Sequence, residues 1–123
     1  MAKGLSATQR TLRLLRGEGR ICGIVERYNT FVGKFGIRQD FLGFIDIISL
    51  DSKRGIIAIQ SCGTSFATHK KKILEDCTDN AIEWLKCGGR IELIGWRKLK
   101  LKRGGKAMRW TPRIEEITLD NFK

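Results

Sequence analysis

GFIDIISLDSKRGIIAIQSCG, residues 43–63, decides how this chain folds. Two apolar runs, FIDIISL and GIIAIQSC, flank a polar turn, Asp51-Ser52-Lys53-Arg54-Gly55. Short β-branched runs bounded by turn residues read as strands. Strands this uniformly apolar lie mid-sheet with both faces covered, so helices are expected to pack on the sheet. Each run carries one polar residue out of keeping with it, Asp46 in the first and Gln60 in the second. A carboxylate in an apolar strand is costly unless it is paired or bound to a metal.

The turn also sets a register. Centred on Lys53, it places Asp46 opposite Gln60, with Cβ atoms about 4.5–5.5 Å apart. Strand alternation then puts Gln60 and Cys62 on one face. Two oxygen-bearing groups at that spacing can share a divalent cation, and Mg²⁺ accepts carboxylate, carbonyl and water oxygens. A slip of one residue would send the two to opposite faces.

Outward from this hairpin the chain alternates in type. Ser6 is placed to cap a helix to about Arg16, with Leu12 and Leu15 on one face and Arg10, Arg13 and Arg16 on another. Gly17 and Gly19 stop it. ICGIVERYN, residues 21–29, reads as one strand. The connection TFVGKFGIRQDFLG, residues 30–43, holds Arg38 and the aromatics Phe31 and Phe35, which suit stacking on bases. Its Asp40 is placed to cap the loop or pair with Arg38. After the hairpin, Thr64 or Ser65 opens a helix, SFATHKKKILEDC. Asn80 with Glu83 resembles a capping box for AIEWLKC, which ends at Gly88-Gly89. RIELIGWRKLKLK is a strand, RGG a turn and KAMRWTPRIEEITL a returning strand. The lone proline, Pro112, marks that last strand as an edge or as broken there. The spacing lets Trp96 and Trp110 face each other across this hairpin. The order is α-β-β-β-α-α-β-β in one domain, residues 1–123.

The 123 residues carry 24 Lys and Arg against 13 Asp and Glu, a net charge of +11. A field of that sign favours a polyanion partner. No apolar run approaches the roughly 20 residues of a membrane helix, and MAKGLSATQR lacks the apolar core of a signal peptide. Cys22, Cys62, Cys77 and Cys87 show no CxxC spacing, and His69 is the single histidine. A zinc site is therefore not expected, and reduced thiols in a cytoplasm are. Residues 97–106, RKLKLKRGGK, hold Arg97, Lys98, Lys100, Lys102, Arg103 and Lys106. Lys98, Lys100 and Lys102 alternate with Leu99 and Leu101, which on a strand gives one apolar face and one basic face suited to a phosphate backbone. Lys70, Lys71 and Lys72 form a second cluster after the hairpin. No base-reading motif is present.

FLGFIDIISL, GIIAIQSCG, HKKKI, GGRIELIGWRK and RWTPRIEEI, in this order and spacing, resemble blocks of the PD-(D/E)XK nuclease superfamily. That superfamily groups restriction-endonuclease-like enzymes with Holliday-junction resolvases, and the resemblance is nearest to small phage and prophage members. It covers roughly residues 21–117. It implies a restriction-endonuclease-like mixed sheet flanked by helices, built on an α-β-β-β-α core. Asp46 matches the metal-binding Asp of the second strand. Gln60 stands where the third strand has a second acid, and Cys62 where it has the motif lysine. Lys70, Lys71 or Lys72 on the next helix would supply the missing cation, and Glu26 a further carboxylate ligand.

The resemblance implies Mg²⁺- or Mn²⁺-dependent hydrolysis of DNA phosphodiesters, with junction-resolvase-like structure selectivity as the finer expectation. Asp46, Gln60, Cys62, Lys70 and Lys72 are then the catalytic positions, and Asp46, Gln60 and Glu26 the metal positions. Arg38, Lys70, Lys71, Lys72, Arg97, Lys98, Lys100, Lys102 and Arg103 would contact DNA. The implied partners are duplex or branched DNA and a second copy of the chain, in a bacterial or phage-infected cytoplasm. The alternative is a DNA-binding module on the same fold with a degenerate site. A small RNA-binding protein is a third reading.

Overall fold

The computed structural model describes residues 4–29 and 36–123. Ser6 caps helix α1 (Ala7–Gly17), its Oγ accepting from the Gln9 N–H at 3.2 Å. Strands β1 (Ile21–Ile24), β4 (Ile47–Asp51), β5 (Gly55–Cys62), β6 (Arg90–Lys100) and β7 (Met108–Ile117) form a mixed sheet in the order β1-β4-β5-β6-β7. Within it β5 and β6 run parallel and the other neighbours antiparallel; the crossover from β5 to β6 is helix α2 (Phe66–Lys71), a π turn (Lys72–Asp76) and helix α3 (Thr78–Lys86). A separate ribbon of β2 (Arg27–Asn29) and β3 (Ile37–Gln39) stands beside the sheet. The chain is thus a five-stranded mixed α/β sheet with helices on both faces.

Alternation along the strands divides two cores. Ile47, Ile57, Ile59, Ile94 and Trp96 face Leu12 and Leu15 of α1. Ala58, Cys62, Ile91, Leu93 and Ile117 face Phe44, Ile45, Phe66, Ile73 and Ala81 on the other side. A polar triangle fixes α1 to the sheet: Trp96 Nε1 and Ser61 Oγ donate to Thr11 Oγ1 at 2.9 and 3.0 Å. On the same face the buried Glu92 carboxylate takes Arg20 at 3.0 Å and Arg54 at 3.2 Å, and Arg54 continues to Asp51 at 3.2 Å. Paired on two sides, that charge is tolerated below the surface.

The central hairpin has the expected register: Ile47 pairs with Ile59, Ser49 with Ile57 and Asp51 with Gly55. Four boundaries differ from the sequence reading. Residues 21–29 are two strands, because the Val25 and Glu26 N–H groups turn to the Asp46 carbonyl, at 2.9 and 3.3 Å, and end the β1–β4 ladder. Asp46 occupies a bend just before β4, not the strand interior. The second helix widens into the π turn, where the Cys77 N–H bonds back five residues to the Lys72 carbonyl at 3.0 Å. Helix α3 opens at Thr78 without the Asn80–Glu83 box, since the Asn80 amide is spent on the Leu42 carbonyl at 3.0 Å.

Pro112 lies on β7, an edge strand, as its missing N–H requires. Trp96 pairs across with Pro112 and Trp110 with Lys98, so the two tryptophans are diagonal, not opposed. All four cysteines are free thiols. Among the described residues, no helix is long and apolar enough to cross a membrane.

Candidate metal centre

Asp46 and Gln60 meet where the register places them. Gln60 Nε2 donates to Asp46 Oδ2 at 2.7 Å, and the Ser61 N–H donates to the same oxygen at 2.8 Å. The two side chains are almost sealed from solvent, at 3% and 2% exposure. Gln60 Oε1 is buried and has no hydrogen-bond partner among the described residues. An orphaned carbonyl oxygen in such a place costs about 1–3 kcal/mol. It asks for a cation or a bound water.

Two more carboxylates converge on this point. Glu26 arrives through the β1 exit that clamps the Asp46 carbonyl. Asp40 arrives through a tight turn, in which Leu42 (φ +56°) and Gly43 (φ +87°) both adopt left-handed conformations. Phe41 and Ile45 close the turn as a bridge. A leucine in that region is strained, and strain of this kind collects at functional sites. One oxygen each of Glu26, Asp40 and Asp46 lies within 4.8 Å of the others. Oxygens that close, from carboxylates on three segments, are what a hard divalent cation requires.

The electrostatics carry the mark of crowded acids. Burial, and then the adjoining Asp40, push the Asp46 carboxyl up to about 8, against the opposing pull of the Ser61 N–H. Burial also acts to raise Asp40, but hydrogen bonds to Asp46 and Lys72 outweigh it and hold this acid below its ordinary range. At neutral pH the metal-free pair of Asp46 and Asp40 therefore shares one proton. A cation bound among these oxygens would take that proton's place.

The three lysines of HKKKI part company. Lys72 Nζ reaches Asp40 Oδ2 at 2.9 Å, at the edge of the acidic cluster. Lys70 Nζ instead pairs with Glu115 on β7 at 2.5 Å. Lys71 lies in solvent, 3.8 Å from Glu75. His69 donates within its own helix to the Ser65 carbonyl at 2.9 Å. Cys62 shares the Gln60 face but is packed in the core, and burial pushes its thiol up to about 11. It is neither a cation nor a ready nucleophile.

Asp40 is the acid that the sequence did not bring to the Asp46–Gln60 pair. Its partners among the described side chains are Lys72 and, at 3.4 Å, Gln60 Nε2, which draw it into the cluster. The sequence signal was Gly43, which permits the turn that folds Asp40 back. Arg38 lies on β3 opposite Tyr28. Phe31 and Phe35 fall outside the described residues.

Arg97, Lys98, Lys100, Lys102 and Arg103 line an exposed extension of β6 and the loop after it. Cys62, at the end of β5, pairs with Gly95, and Gln60 with Leu93. The extension therefore rises from the same end of the sheet as the acidic cluster. No family model, curated protein or solved structure matches this chain.

Proposed function

We propose that this chain is a metal-dependent DNA endonuclease of the PD-(D/E)XK superfamily, with a restriction-endonuclease-like core. One observation carries the reading: the acidic cluster of Glu26, Asp40 and Asp46 is closed by a buried amide whose oxygen has no partner among the described residues. The order α1-β1-β4-β5-α2, with Asp46 heading β4 and Gln60 on β5, supports the α-β-β-β-α assignment. The β2–β3 ribbon is an insertion between its first two core strands.

Asp46, Asp40 and Glu26 would hold the cation, Mg²⁺ or Mn²⁺, and Gln60 Oε1 would complete its oxygen shell. Bound there, the cation supplies Lewis acidity and an activated water for phosphodiester hydrolysis. Gln60 Nε2 and the Ser61 N–H fix the Asp46 carboxylate in one orientation. Lys72 brings the positive charge that position 62 lacks, placed to offset charge developing on the phosphate. The basic β6 extension would hold the DNA beside this centre, and selectivity for branched DNA and a cytoplasmic setting belong to the same reading.

A second reading, a DNA-binding module on this fold, is favoured by one feature. Cys62, in the position of the motif lysine, is an inert buried thiol. Incubating the purified protein with branched and linear duplex DNA in Mg²⁺ or Mn²⁺ separates the two. The nuclease reading expects cleavage that Asp46→Ala abolishes. DNA that is bound but left intact with both metals would overturn it in favour of the binding module.

A further inference from the structure

β6 and β7 stay paired beyond the sheet that supports them. β5 ends opposite Gly95, whereas the β6–β7 ladder continues through Lys98↔Trp110 to Lys100↔Met108 before the loop 101–107. From Gly95 to Leu101 the ribbon advances about 20 Å, at roughly 3.3 Å per residue. Both of its faces are open: Arg97 to Lys100 and Met108 to Trp110 are all exposed.

A two-stranded hairpin without a covering layer is marginal by itself. The ribbon is braced at its root. The Arg10 guanidinium of α1 stacks 3.8 Å from the Trp110 ring centroid, and the Arg113 guanidinium 4.0 Å from that of Phe66. Beyond these braces, Leu99, Leu101 and Met108 are left in solvent, where burial in a core cannot account for them. Between Arg97 and Arg113 the chain carries eight basic side chains and no acid. The charges are spread over both faces: Lys98 and Lys100 point to the α1 side, Arg97 and Arg109 to the α2 side.

We propose that residues 97–111 form a β-ribbon that inserts into the major groove of duplex DNA. The inference rests on DNA being the partner, as proposed above, and adds how it is held. A B-form major groove, about 12 Å wide, admits a two-stranded ribbon, and its two walls of phosphate meet basic side chains on either face. The A-form major groove of an RNA duplex is too narrow for one. Leu101, exposed at the tip of the ribbon, supplies apolar atoms for thymine methyl groups on the groove floor. Because the ribbon rises from the end of the sheet that holds Asp46 and Gln60, a duplex seated on it runs beside that centre.

Binding is measured by gel shift in EDTA, so that the outcome does not depend on metal or cleavage. Two variants are compared with the wild type, each first checked for a cooperative thermal melt. One replaces residues 101–107 with Asn-Gly, which closes the hairpin at Lys100↔Met108 with a two-residue turn. The other keeps the full ribbon but combines Lys98→Gln, Lys100→Gln and Arg109→Gln. Both are expected to lose affinity for duplex DNA about tenfold or more, and each to reduce the salt slope by about three. Methylation of guanine N7, which projects into the major groove, is expected to block wild-type binding, and a minor-groove ligand to leave it intact. Unchanged affinity in both variants overturns the proposal, as does equal competition by an A-form RNA duplex or displacement by the minor-groove ligand. A protein that binds in this way yet never cleaves would sink the nuclease reading and leave the ribbon standing.

Discussion

Gln60 donates from its amide nitrogen to Asp46 at 2.7 Å and to Asp40 at 3.4 Å, and leaves its own carbonyl oxygen buried without a partner among the described residues. The donation suits a metal-free site in which Asp46 shares its proton with Asp40. The stranded oxygen suits the same site holding a cation.

The first prediction concerns pH and the metal-free protein. The Asp46 carboxyl sits at about 8 when folded and near 3.8 when unfolded, so the folded state holds its proton more tightly. Stability from this group is complete below about 4 and is lost as pH rises towards 8, with a slope of up to about 1.4 kcal/mol per pH unit. Asp40, held low, works in the opposite sense, its contribution disappearing only as pH falls below the ordinary carboxylate range. Urea titrations in EDTA between pH 4.5 and 8.5 should show declining stability that Asp46→Asn flattens. An Asp46→Asn protein that declines in parallel with the wild type would refute this.

Lys72 and Lys71 are neighbours in sequence with different fates in space. Under the nuclease reading, Lys72→Ala should lower the cleavage rate about a hundredfold or more, as loss of a transition-state donor does. Lys71→Ala, in solvent, should leave it within about twofold. Single-turnover cleavage assays with saturating protein separate rate from binding. Equal effects at both positions would mean that the lysines act only as bulk charge.

Gly95 is where the ring of Phe66 needs room. A Cβ there would stand 2.7 Å from Phe66 Cδ2 and 3.3 Å from the Gly63 carbonyl oxygen. Gly95→Ala should therefore cost about 1–3 kcal/mol and unseat the start of α2. Gly17→Ala, with nothing near its Cβ, is the control and should not destabilise. Thermal melts of the two variants make the comparison, and equal midpoints would contradict the packing account.

Glu92 lies on the opposite face of the sheet from the acidic cluster, held between Arg20 and Arg54. Removing it leaves two guanidinium groups without their shared partner. Glu92→Ala should cost about 3 kcal/mol of stability by urea unfolding. A loss under about 1 kcal/mol, the range of an exposed pair, would show that solvent takes over both arginines.

The parts of the fold legible in the sequence are those set by neighbours along the chain. The polar turn at residues 51–55 fixed the hairpin register, and the apolar runs identified β4 and β5 as interior strands. Asp46 and Gln60 could be matched because pairing in a hairpin is arithmetic. Asp40 could not, since its return depends on a left-handed turn at a leucine, a residue that ordinarily avoids one. The break of residues 21–29 into two strands was equally hidden. It depends on the Asp46 carbonyl drawing the Val25 and Glu26 N–H groups away, and no local pattern records that.

The π turn at Lys72–Asp76 holds one residue more than an α-helical turn would. Each residue of a helix rotates the next by about 100° around the axis. Deleting a single residue from that turn would close it to an ordinary α-helix and swing Lys72 off Asp40 relative to the Thr78–Lys86 helix, with every side chain of the acidic cluster left in place. Segment length is thus a control on this site separate from side-chain identity. Between related chains, a one-residue insertion or deletion here could connect or disconnect the lysine while all of its partners stayed the same.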